Sequence, residues 1–152
     1  MDTQKSVNSR RFTLVVNYLC LFIMNICFYF AWAYQGLNHA VDALGIGSLF
    51  LVMATFFPLF WRTGLWRLTH SSTNSLDERQ IEITHEALRY SYSWFSIICL
   101  VIIFAHAVVY RLVPDMDFAI SVPLAVSLLY LAHTLPGAIL AWTEKEMPGA
   151  EQ

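Results

Sequence analysis

"SLDERQIEITHEALRYSYSWFSIICLVIIFAHAVVY", residues 75–110, joins two kinds of chemistry in one unbroken run. Its first half carries Asp77, Glu78, Arg79, Glu82, His85, Glu86 and Arg89. Its second half, from Ser93 to Tyr110, carries no Asp, Glu, Lys or Arg. No proline or glycine interrupts it before Pro114. Ser75 and Glu78 have capping-box spacing, in which the hydroxyl meets a free amide and the carboxylate reaches back. Asp77 and Glu78 also suit the positive end of a helix dipole. The run therefore predicts one helix that starts near Leu76, makes about four turns in water and continues through the hydrocarbon as far as Tyr110. At 100° per residue, Glu78, Glu82, His85, Arg89, Tyr92 and Ser96 share a stripe, with Glu86 and Ser93 at its edge. Ile83, Ala87, Trp94 and Ile98 lie opposite.

The rest of the chain explains the apolar half. Its 152 residues are 57% hydrophobic, 15% aromatic and only 13% charged. A soluble domain carries about 25% charged residues, so little of this surface is built for bulk water. Apolar runs cover about 12–34, 44–61, 93–110 and 118–142, each near the ~20 residues that a membrane-crossing helix needs. The expected fold is all-α: a four-helix integral membrane bundle forming a single domain over 1–152. The second run is the shortest, and Pro58 is expected to bend its end. Lys5, Arg10 and Arg11 ahead of the first run resemble the start of a secretory signal. That run is longer than a signal's ~7–15 apolar residues and rich in aromatics, so a retained helix is expected.

Direction follows from the cations. Lys5, Arg10, Arg11, Arg62, Arg67, Arg79, Arg89 and Lys145 all fall on one side of the four runs. Arg111 falls on the other, with Asp42, Asp115 and Asp117. The positive-inside rule then places both termini and a 62–92 hairpin in the cytoplasm. The location implied is a bacterial cytoplasmic membrane, crossed several times. The formal net charge of -2 does not suggest a nucleic-acid binder. Cys20, Cys27 and Cys99 lie inside apolar runs without CxxC spacing, which suits buried structural thiols.

Three chemistries compete for the charged stripe. Glu82-x-x-His85 matches the spacing of carboxylate-bridged di-iron bundles. Those bundles need a second such motif and further glutamates on partner helices; this chain has no second Glu-x-x-His and no carboxylate inside any other apolar run, so no metal site is expected. A solvated helix face is the plain alternative, with Glu86 and Arg89 in favourable i,i+3 spacing and Glu82 and Glu86 in unfavourable i,i+4 spacing. Docking is the third: Asp77, Glu78, Arg79, Glu82, His85, Glu86 and Arg89 would meet Arg62 and Arg67 of the preceding loop, or a membrane or cytoplasmic protein. A second copy of the chain is a further potential partner. The segment "LDERQ", residues 76–80, resembles small bacterial and archaeal polytopic membrane proteins of uncharacterised activity, which carry an Asp-Glu-Arg motif ahead of a transmembrane helix. The resemblance implies an accessory or regulatory membrane role and supplies no catalytic residues.

Inside the apolar runs the notable polar residues are Asn17, Asn25, His106 and His133. No ionised side chain lies at mid-membrane, which argues against an ion-coupled transporter. His106 and His133 differ in depth by roughly 7 Å at 1.5 Å per residue, a poor match for two axial ligands of one haem. An Asn25–His106 hydrogen bond is expected instead. "LPG" at 135–137 predicts a kink, with Gly137 allowing close approach and a potential small pocket for a lipid or quinone. No nucleophile elbow, P-loop, dinucleotide loop or zinc-protease motif occurs. The expectation is a non-enzymatic accessory or interaction protein without a resident cofactor, acting through its cytoplasmic hairpin. A redox or quinone-linked subunit using His106 and His133 is the first alternative, and a transporter or channel component the second.

Overall fold

The computed structural model describes residues 2–33, 39–72, 76–112 and 122–144. Among the described residues five α-helices follow in chain order: α1 (Asp2–Ala33), α2 (His39–Phe56), α3 (Leu65–His70), α4 (Glu78–Leu112) and α5 (Val122–Thr143). A π-helical turn, Phe57–Trp61, extends α2. Among the described residues four segments are long and apolar enough to cross a membrane: Val7–Ala31, His39–Trp61, Glu78–Val109 and Val122–Thr143. The all-helical reading holds. So does the single long helix through the opening run, whose 35 residues reach about 52 Å at 1.5 Å per residue. It begins at Glu78 rather than Leu76.

The long helices form a row, α2–α1–α5–α4, and among the described residues α2 and α4 do not pack along each other. α1 shows why it sits inside the row. Val7, Leu14, Asn17, Leu21, Met24 and Cys27 are buried, and steps of three, four and seven bring them onto one face. Against that face comes α2, where a Cβ on Gly45 would lie 3.1 Å from the Cβ of Cys27. Such close backbone approach is how helices associate where lipid removes the hydrophobic driving force.

Pro58 does more than bend α2. It has no N–H to give the preceding turn, and the helix widens there, with the Arg62 amide donating to the Phe57 carbonyl at 3.1 Å. Gly64 then adopts φ 75°, a left-handed conformation that favours glycine. This turn swings α3 back against α5. Phe60, Leu65 and Leu68 are among the most buried side chains in the molecule. They form one cluster with Leu14, Ala87, Leu140 and Ala141. The segment from Arg62 to Tyr92 is therefore not a wholly water-facing hairpin, because its first third is part of the core. Gly137 permits this: a Cβ there would sit 3.2 Å from two ring carbons of Phe60. The close approach expected at "LPG" is made by this chain's own phenylalanine.

Beyond the cluster, α4 turns most of its surface outward. Leu100, Val101, Ile103 and Phe104 are each more than 60% exposed. A bilayer would cover these side chains at no cost, since lipid tails are as apolar as leucine.

Candidate functional site

The charged end of α4 starts with a cap. The Gln80 amide donates to Asp77 Oδ1 at 2.7 Å, and the Asp77 amide donates to Gln80 Oε1 at 3.3 Å. This reciprocal pair is a capping box two residues downstream of the Ser75–Glu78 pair expected from sequence. Ser75 lies outside the described residues, and Glu78 is the first helical residue rather than the reaching one. Asp77, counted among the docking residues, spends its carboxylate on the helix start.

From there α4 separates into two faces. Thr84, Ala87 and Ser91 are buried, small side chains that let the helix approach the core. Glu78, Glu82, His85, Glu86, Arg89 and Tyr92 are exposed. Arg62 and Arg67 are exposed as well. Among the described residues neither makes an ion pair with the acidic stripe, and Glu86 makes none with Arg89. The expected internal pairing is thus absent. Arg79 instead reaches Glu144 at the end of α5, 3.9 Å away, with its side chain 70% exposed. Such a pair contributes about 0–1 kcal/mol.

Arg10 and Arg11, read from sequence as markers of orientation and as a signal-like start, have a structural task. Arg10 Nε donates to the Ala141 carbonyl at 2.9 Å, and its Nη2 donates to the Glu144 carbonyl. Arg11 Nη2 donates to the Trp142 carbonyl at 2.6 Å. The last carbonyls of a helix have no partner within it and carry its negative dipole end. Two cations of the first helix satisfy those of the last. Nothing in the local sequence signals this pairing, which spans more than 130 residues.

The polar residues inside the apolar runs act mainly as ties between helices. Asn17 is fully buried. Its Nδ2 donates to the Val52 carbonyl at 3.1 Å and to Thr55 Oγ1 at 2.9 Å, and its Oδ1 accepts from the Tyr130 hydroxyl at 2.9 Å. Asn25 donates to Ser127 Oγ on α5 at 2.7 Å and to the Leu21 carbonyl at 2.8 Å. Its Oδ1 is buried without a partner. The expected Asn25–His106 bond is therefore replaced by Asn25–Ser127, because α5, not α4, lies beside α1. His133 stacks towards His70 of α3, ring centroids 6.2 Å apart and planes 4° from parallel. His70 in turn stacks on Trp66 at 3.8 Å. Both histidines place Nδ1 on a carbonyl one turn back, His70 on Trp66 at 3.1 Å and His133 on Leu129 at 2.8 Å. The antiparallel register that sets Arg79 beside Glu144 carries His106 towards the Val122 end of α5. Sequence reasoning missed His70, whose position depends on the α3 fold-back. Two imidazoles with their Nε2 atoms uncommitted are suitable metal ligands. Among the described residues no group of three His, Cys, Asp or Glu side chains converges to hold an ion.

An open groove of about 440 Å³ runs along α5 between α1 and α4. Leu14 and Ala138 form its floor, and Tyr90, Trp94, Ile139 and Trp142 its walls. It lies on the opposite side of the "LPG" segment from Phe60. No family model, curated protein or solved structure matches this chain.

Proposed function

We propose that this is an accessory or regulatory protein of a bacterial cytoplasmic membrane. Its four helices cross the bilayer with both termini inside, and it acts by presenting the outer face of α4's first four turns to a protein partner. The observation that supports this reading is the one-sided burial of that segment. Thr84, Ala87 and Ser91 pack inward while Glu78, Glu82, His85, Glu86 and Arg89 stand exposed. Charges that pair with nothing among the described residues remain available to steer and orient an encounter. A lipid-facing surface would not carry them, given the cost of charge in hydrocarbon. The partner implied is basic at the positions opposite Glu78, Glu82 and Glu86.

A photo-crosslinking residue at Glu82 or Glu86, in cells, is expected to capture one defined protein, and the same residue at Val101 is expected to capture a different set or none. The double reversal E78K/E86K should abolish the Glu82 adduct while leaving the protein's abundance unchanged. Adducts that are absent at both α4 positions, or indifferent to charge reversal, would refute the docking role.

A further inference from the structure

We infer that the groove along α5 is a binding site for an anionic membrane phospholipid, with an acyl chain lying on Leu14, Leu135 and Ala138 and the phosphate held between Arg11 and Arg89. The case begins with the two cations. The Arg11 guanidinium lies 5.1 Å above the ring of Trp142. The Arg89 guanidinium lies 5.5 Å from the ring of Tyr90. Both rings are walls of the same groove, and they approach it from different helices. A cleft with apolar walls is thereby flanked by two positive charges, with Glu86, one turn before Tyr90, the acidic residue of α4 nearest to it in sequence.

The guanidiniums have capacity left. Arg11 gives Nη2 to the Trp142 carbonyl, and its Nε is buried without a partner. A guanidinium offers five donors in a planar fork that matches phosphate oxygens. Arg89 makes no ion pair among the described residues.

The shape favours a lipid over a soluble anion. From Thr143 at the rim to Leu135 at depth the groove follows eight residues of α5, about 12 Å at 1.5 Å per residue. Tyr90, Trp94 and Trp142 are 46%, 57% and 49% exposed, half-open rings of the kind that sit at headgroup level. Leu14 and Ala138 beneath them are closed to solvent. A free phosphate would leave the half-open rings bare, whereas an acyl chain lying between them covers their inner faces.

Native mass spectrometry can read the occupant directly. The protein is extracted from nanodiscs holding equal amounts of phosphatidylglycerol and phosphatidylcholine with identical chains. The wild type is expected to retain one phosphatidylglycerol in preference to phosphatidylcholine, by a factor on the order of ten. The exposed-site variant R89Q should cut that preference at least several-fold, and R11Q/R89Q should bring it to parity. I139W, which fills the groove without touching a charge, should remove retention of both lipids while circular dichroism shows the helices intact. Equal retention of the two lipids by the wild type would overturn the assignment. So would a preference unchanged in R89Q, or lipid retention unchanged in I139W.

Discussion

Two buried side chains illustrate how polarity is handled residue by residue. Asn17 has both ends of its amide engaged, tying α1 to α2 and to α5 through Val52, Thr55 and Tyr130. Thr84 has a buried hydroxyl with no partner. The two positions should therefore respond in opposite directions. Asn17→Leu removes three bonds and strands the Tyr130 hydroxyl, so it should destabilise the protein by about 1–2 kcal/mol. Thr84→Val replaces an unsatisfied hydroxyl with a methyl of similar size and should stabilise it by about 1 kcal/mol. Reversible unfolding in mixed micelles measures both, and a gain from Asn17→Leu or a loss from Thr84→Val would contradict the bonding described. Asn17 was visible in the sequence as a polar residue in an apolar run. Its partners were not, because they depend on which helix becomes the neighbour. Asn25 makes the same point more sharply: depth alone suggested His106, and adjacency gave Ser127.

Among the elements, α4 was the most legible. A capping signal, an unbroken helical run and a change from charged to apolar composition sufficed to place it within two residues. The π-helical turn and α3 were the least legible. "WRTGLWRLTH" reads as a short, wet connection, yet it buries Leu65 and Leu68. A six-residue helix has too few turns to display a period, and its burial follows from Pro58, Gly64 and the gap left on α5 by Gly137. That gap can be tested. Gly137→Val would drive two methyls into the Phe60 ring, which is 1% exposed and has little room to yield. It should destabilise the protein by about 1–3 kcal/mol. The fold-back should loosen at the same time, so that proteolysis within residues 65–72 becomes faster. Unchanged protection there would mean that Phe60 does not anchor the turn.

Across the whole molecule, the distribution of charge and the row of helices can be checked together. Arg10, Arg11, Arg62, Arg67, Arg79 and Arg89 lie towards one end of the helix axes, while Asp42 and Arg111 lie at the other. Glu82→Cys, in a chain whose native cysteines are replaced, should react with an impermeant maleimide only after cells are opened, and Asp42→Cys should react in intact cells. The reverse pattern would invert the orientation and remove the cytoplasmic docking face with it. The arginine clamp also bears on biosynthesis. Its donors, on α1, leave the ribosome more than 130 residues ahead of its acceptors, the carbonyls of residues 141, 142 and 144. Until α5 has been made, two guanidiniums have nothing to hold. Joining α1 to α5 is thus a step that a chain cut short of α5 cannot take, and such a chain would present proteases with a mark of incompleteness.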